Sequence, residues 1–176
     1  MRPYALVLAL SLFGCGSDDP NAPPPTSTGA AVVTSSTRTV IVENKGGGFI
    51  PQPPAGSSCL PGARAYTLTS ATSTVDYRIC VGDSMTPYKI QSGQKVLSAS
   101  QLSELRAVLD RIKVVARTMS CAADAPLLTV TATTAGGTQD YIDDLDQCTD
   151  NTKPVVGRDA IQAALDKMAA LTGAAA

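Results

Sequence analysis

The chain has 176 residues, with 14 Lys and Arg against 15 Asp and Glu, and it contains neither histidine nor tryptophan. Near-neutral charge without a basic run argues against nucleic acid or polybasic lipid binding as the central activity. Without imidazole the chain cannot build a Ser-His-Asp triad, a Cys-His pair, a His-ligated zinc or an imidazole general base.

Arg2 gives the N-terminus a positive start, and Tyr4 to Phe13 is apolar apart from Ser11. That stretch is well short of the roughly 20 apolar residues a helical membrane span needs. It fits a signal peptide over residues 1–14, with small Gly14 before the cleavage point. The run Leu12-Phe13-Gly14-Cys15 resembles the lipobox of bacterial lipoproteins. The resemblance implies acylation of the Cys15 thiol, cleavage just before it and attachment to a membrane through the lipid. Because Gly16 rather than Asp follows, it also implies a cell-envelope protein of the outer membrane. Residues 15–36 are mostly Ser, Asp, Pro, Thr, Gly and Ala, including Pro23-Pro24-Pro25, and read as a flexible tether. Thr39 to Val42 suggests a short strand. The glycines 46–48 and the prolines 51–54 then interrupt it, so residues 37–57 read as a lead-in and the compact domain as 58–172.

Within that domain, alternation predicts strands at Tyr66–Thr69 and Val75–Cys80, joined through Ala71-Thr72-Ser73. A further hairpin is expected from Tyr88–Ile90 and Lys95–Leu97, turning at Ser92-Gly93. The period then changes. Ser98 and Gln101 form a capping box, and Leu102, Leu105, Leu109 and Ile112 share one stripe of a helix beginning at Ala99. The plan repeats with a strand at Leu127–Thr133, a turn at Ala135-Gly136-Gly137 and a returning strand at Asp140–Asp146. Ile161, Leu165, Met168 and Leu171 then mark a helix from Arg158. The fold class is therefore α+β: an antiparallel sheet of hairpins with two helices on one face, built as a duplicated hairpin-helix unit.

Setting Cys15 aside leaves Cys59, Cys80, Cys121 and Cys148, an even set in an exported chain. Zinc on four thiolates is disfavoured because even the nearest cysteines are about twenty residues apart. Four cysteines allow three connectivities. The matched placement of a cysteine before and after each hairpin selects Cys59–Cys80 and Cys121–Cys148, each bridge contributing roughly 3 kcal/mol in the chain-entropy model.

The remaining motifs favour plain readings. Gly82-Asp83-Ser84 looks like the nucleophile block of GDSL esterases, but that family also needs a histidine, and these residues are ordinary turn formers. Ser92-Gly93-Gln94-Lys95 matches the Ser-x-x-Lys of serine beta-lactamases but stands in a predicted hairpin with no Lys-Thr-Gly after it. Asp140, Asp143, Asp144, Asp146 and Asp150 lack the spacing of a calcium loop and are expected on a solvated strand face or a protected sheet edge. Paired carboxylates for glycoside chemistry would need stacking aromatics, and the chain is poor in them.

Cys121-Ala122-Ala123-Asp124-Ala125-Pro126-Leu127-Leu128-Thr129-Val130, followed by a hairpin and Cys148, resembles the second disulfide region of the Streptomyces-type subtilisin inhibitors. The resemblance spans under a fifth of the chain. It implies an exposed protease-binding loop with Ala123 as the primary specificity residue and Ala122 and Asp124 beside it. The loop is about two residues shorter than in that family, Ala125 separates the Asp from the Pro, and Cys59 and Cys80 do not match its other cysteine pair. The expectation is a non-enzymatic envelope lipoprotein, without metal or cofactor, whose domain binds or organises something outside the cytoplasm, with an envelope protein or an extracellular protease as candidate partners that the sequence does not choose between. The alternative is an inhibitor of an extracellular protease.

Overall fold

The computed structural model describes residues 28–47, 52–118, 121–122 and 124–174. Nine elements follow in chain order: β1 (Thr39–Asn44), β2 (Arg64–Thr69), β3 (Thr74–Val81), β4 (Lys89–Val96), α1 (Ala99–Leu109), β5 (Leu128–Thr134), β6 (Gly137–Asp143), β7 (Val155–Val156) and α2 (Arg158–Thr172). The strands form one sheet in the order β4-β3-β2-β1-β5-β6-β7, antiparallel except for the β6–β7 pair. Both helices pack on one face, so the α+β reading holds.

Alternation explains which face is dry. Val40 and Val42 on β1, Tyr66 and Leu68 on β2, Val75 on β3 and Val130 on β5 are buried against Leu105, Leu109, Ile161, Leu165 and Met168. Full burial of one such side chain contributes about 1.5–3 kcal/mol, so this face carries most of the driving force for folding. The other face carries Thr39, Thr67, Thr69, Thr129, Thr131 and Thr133 in register across β2, β1 and β5. Threonine suits that position because its branched Cβ favours strands while its hydroxyl faces water.

Local signals hold at the helix starts. Ser98 Oγ accepts from the Gln101 amide at 3.2 Å, and Gln101 Oε1 accepts from the Ser98 amide at 3.0 Å, completing the capping box. Helix α2 has Gly157 at its N-cap and no side-chain cap of its own. Asp144 Oδ1, from the connection after β6, accepts the Arg158 amide at 3.0 Å instead. Gly173 ends α2 at φ 70°, a left-handed conformation that glycine adopts without strain. The Tyr66 hydroxyl donates to the Ala174 carbonyl and fastens the end of the helix to β2.

Three expectations are corrected. Strand β1, placed in the lead-in, lies at the centre of the sheet between β2 and β5. The compact unit also begins before Ser58 and inside the expected tether. Gly29 N donates to Val114 O, Ala31 bridges to Lys113, and Val32 is buried. Val32 and Val33 are apolar enough to pack beside Ile112 and Val114, partners some eighty residues away that local composition does not reveal. The hairpin expected at Ser92-Gly93 is a single straight strand, β4. A Cβ on Gly93 would fall 2.4 Å from the Tyr77 hydroxyl, so this glycine makes room for the ring of its cross-strand neighbour rather than turning the chain.

The two halves share the order hairpin, bridge, helix. Their third strands differ, since β4 joins β3 antiparallel whereas β7 joins β6 parallel. The disulfide pairs are Cys59–Cys80 and Cys121–Cys148.

Candidate functional site

Cys15 and Ala123 lie outside the described residues. Ala122 is half-buried and its amide donates to Leu145 O at 3.1 Å, while Asp124 is exposed. The bridge from Cys121 to Cys148 therefore ties this segment to the connection that follows β6. Asp83 Oδ1 accepts the amides of both Met85 and Thr86 at 2.8 Å, and these bonds hold its carboxyl below the usual carboxylate range. That is the bonding of a turn. Ser92 and Lys95 stand on opposite faces of β4, since successive strand residues alternate, so they form no dyad.

The acidic cluster departs from expectation, because two of its members are inside the protein. Asp143 is fully buried at the end of β6. Its Oδ2 accepts from Leu128 N at 2.9 Å and from Arg158 Nη1 at 3.0 Å, and its Oδ1 accepts from Leu145 N at 2.8 Å. Asp146 is 7% exposed, and among the described residues nothing bonds its Oδ2. Burial first, and the neighbouring Asp143 second, push its carboxyl up to about 6. Asp150 is held down at about 2, chiefly by the Thr152 hydroxyl and then by the Thr152 amide. Asp140 accepts from the Thr131 hydroxyl at 2.6 Å on the open sheet face. No group of acidic or cysteine side chains suited to a metal ion occurs among the described residues. The buried aspartates serve the fold: Asp143 binds backbone amides and pairs with Arg158, and Asp144 beside it caps α2.

The chemistry open to a ligand lies on the face away from the helices. A groove of about 360 Å³ runs over the ends of β1, β2 and β3, bounded by Glu43, Lys45, Arg78, Ile90 and the Cys59–Cys80 bridge. Its origin is in the register. Glu43, Ala65 and Arg78 are direct partners across β1, β2 and β3, so the small Ala65, with Ala63 beyond it, lowers the floor between two long charged side chains. With strands about 4.8 Å apart, Glu43 and Arg78 stand roughly 10 Å apart at their backbones. Glu43 is satisfied by Thr129 Oγ1 at 3.4 Å and by Lys45 Nζ at 4.0 Å. Among the described residues no carboxylate pairs with Arg78, and its side chain is exposed. A guanidinium so placed offers a planar fork for a carboxylate or phosphate. Ile90, 45% exposed, supplies an apolar wall.

Sequence reasoning did not single out Arg78, Glu43 or Ala65. The available signal was the outward phase of Glu43 on β1, Ala65 on β2 and Arg78 on β3, but only the register shows that they stand in one row.

Compared with known proteins, the chain matches no family model, no curated protein and no solved structure.

Proposed function

We propose that this chain is a lipid-anchored envelope lipoprotein whose α+β domain binds its partner without catalysis, through the groove on the open face of the sheet. The observation that carries the binding reading is Arg78, an exposed side chain with no ion-pair partner among the described residues, set over a floor of two alanines beside a disulfide. Such a groove suits an acidic side chain or a C-terminal carboxylate followed by apolar surface, as an envelope protein would present. The anchor reading rests on the lipobox resemblance at Cys15. Among the described residues no helix is long and apolar enough to cross a membrane.

Pull-down from detergent-solubilised envelope tests the groove. Wild-type protein should retain a partner that Arg78→Glu loses, and equal capture by both would reject the groove as the binding site. Separately, Cys15→Ser should move the protein from the membrane fraction to the soluble fraction, and an unchanged membrane fraction would reject the anchor.

One observation favours a second reading as a protease inhibitor. Cys121 is bridged to Cys148 and the Ala122 amide donates to Leu145 O, so the described residues just before Ala123 are held in place, as a loop that binds tightly with little buried area would require. Titration against a subtilisin-like protease that prefers small residues should show inhibition that Ala123→Pro abolishes. Undiminished protease activity would remove this reading.

A further inference from the structure

The two ends of the sheet are finished differently. Beyond β7, Val114 bridges to Val156 and Lys113 to Ala31, so that side is covered. At the other end β4 pairs only with β3, and among the described residues nothing lies along its outer edge between Ile90 and Val96. The hydrogen bonding tells which main-chain groups this leaves open. Leu97 N donates to Ser73 O, which continues the β3–β4 register by one pair. In an antiparallel ladder hydrogen-bonded pairs alternate with non-bonded ones. The odd-numbered residues of β4 therefore bond to β3, and the N–H and C=O groups of Ile90, Ser92, Gln94 and Val96 point away from it. One step earlier, at Tyr88, the equivalent groups are taken: its amide donates to Ser57 Oγ and its carbonyl accepts from Ser58 N.

Exposed sheet edges of this length are usually blunted by proline, a bulge or charge. β4 has no proline and pairs continuously with β3 from Lys89 to Val96, and its two charges, Lys89 and Lys95, take the phase of the helix-side face, leaving Ile90, Ser92, Gln94 and Val96 uncharged on the open face. Two of the large apolar side chains exposed on this protein, Ile90 at 45% and Val96 at 65%, both lie on the strand. Their partners on β3, Cys80 and Thr74, place both on the open face of the sheet.

We propose that two copies of this chain join through β4, antiparallel, about a two-fold axis at Gly93 perpendicular to the sheet. In that register Ile90 faces the partner's Val96 and Ser92 faces the partner's Gln94. Every outward donor and acceptor from Ile90 to Val96 then finds a mate. The symmetry keeps open face with open face, so the exposed Ile and Val side chains pack on each other across the seam. Lys95 meets the partner's Gln91 rather than another cation. Neighbouring registers are worse. An axis at Ser92 sets Lys89 against the partner's Lys95, and an axis at Gln94 leaves Ile90 opposite the partner's Ser98. The strand is thus complementary to itself in one alignment, which is what singles out a second copy from other extended segments.

The test is sedimentation equilibrium of the mature chain, residues 16–176, so that neither lipid nor the apolar signal peptide drives association, over the low to high micromolar range. A concentration-dependent dimer is expected. Ser92→Pro removes an outward N–H that makes no bond to β3. Together with Val96→Lys, which sets a charge against the partner's Ile90, it tests the seam, and each should weaken the dimer by at least about tenfold. Circular dichroism should stay unchanged, and so should the melting temperature at concentrations where the wild type is monomeric. If Ser92→Pro perturbs the fold, Val96→Lys alone decides. A monomer throughout the range, or a dimer indifferent to Val96→Lys, overturns the proposal.

Discussion

Replacing Asp146 with Asn should stabilise the protein above neutrality and do little in acid. The folded carboxyl titrates near 6, raised by burial and by the charge of Asp143, with Arg158 acting in the opposite direction. In the unfolded chain an Asp titrates at about 3.9. The folded state therefore binds its proton more tightly, and between about pH 4 and 6 folding takes up a proton. Stability from this group is complete below about pH 4 and falls as pH rises toward 6. Above pH 6 the protein keeps two buried carboxylates side by side, countered by Arg158. Titration at about 6 rather than 3.9 corresponds to roughly 3 kcal/mol, an upper bound for the penalty at pH 8. The side chain introduced by Asp146→Asn carries no charge, and its amide donates to Asp143 as the protonated acid does. The expected gain is roughly 1–3 kcal/mol at pH 8, or several degrees in melting temperature, and near zero at pH 4. Urea denaturation across pH 4–8 measures both. An Asn variant whose stability runs parallel to wild type across that range would show that Asp146 does not hold its proton in the folded state.

Other changes probe the remaining supports. Arg158→Ala leaves the fully buried Asp143 without its guanidinium and should cost about 3–5 kcal/mol in urea denaturation at pH 7, and a loss under about 1 kcal/mol would contradict the pairing. Leu165→Ala, on the buried stripe of α2, should cost about 2–5 kcal/mol, whereas substitution of exposed Ser103 on α1 should change stability by less than about 0.5 kcal/mol in the same assay. Replacing Cys59 and Cys80 together by Ala should lower stability by about 3 kcal/mol for the 21-residue separation, and equal midpoints with and without the bridge would refute the estimate. Tyr66→Phe should lose about 1 kcal/mol with the hydroxyl bond to Ala174 O, read from the same denaturation curves.

The hairpin β2–β3, strand β5 and both helices were legible in the sequence because their signals are local, whereas the returning strand β6 runs Gly137–Asp143, starting inside the expected turn and ending three residues before Asp146. Alternation of Tyr66 with Leu68, the spacing of Ile161, Leu165 and Met168, and the Ser98–Gln101 box each depend on residues a few positions apart. The matched cysteines anticipated both bridges for the same reason. Long-range contact decided the rest. Residues 29–36 looked like tether because their partners, Ile112 to Val114, lie far along the chain. Gly93 looked like a turn because the Tyr77 ring it accommodates belongs to another strand. Asp143 looked like a solvated acid because the Leu128 amide and the Arg158 guanidinium that bind it lie fifteen residues away on either side and reach it only through the β5–β6 and β6–β7 pairings. The row of Glu43, Ala65 and Arg78, and the open edge of β4, exist only once strand order and register are set, and sequence periodicity carries neither.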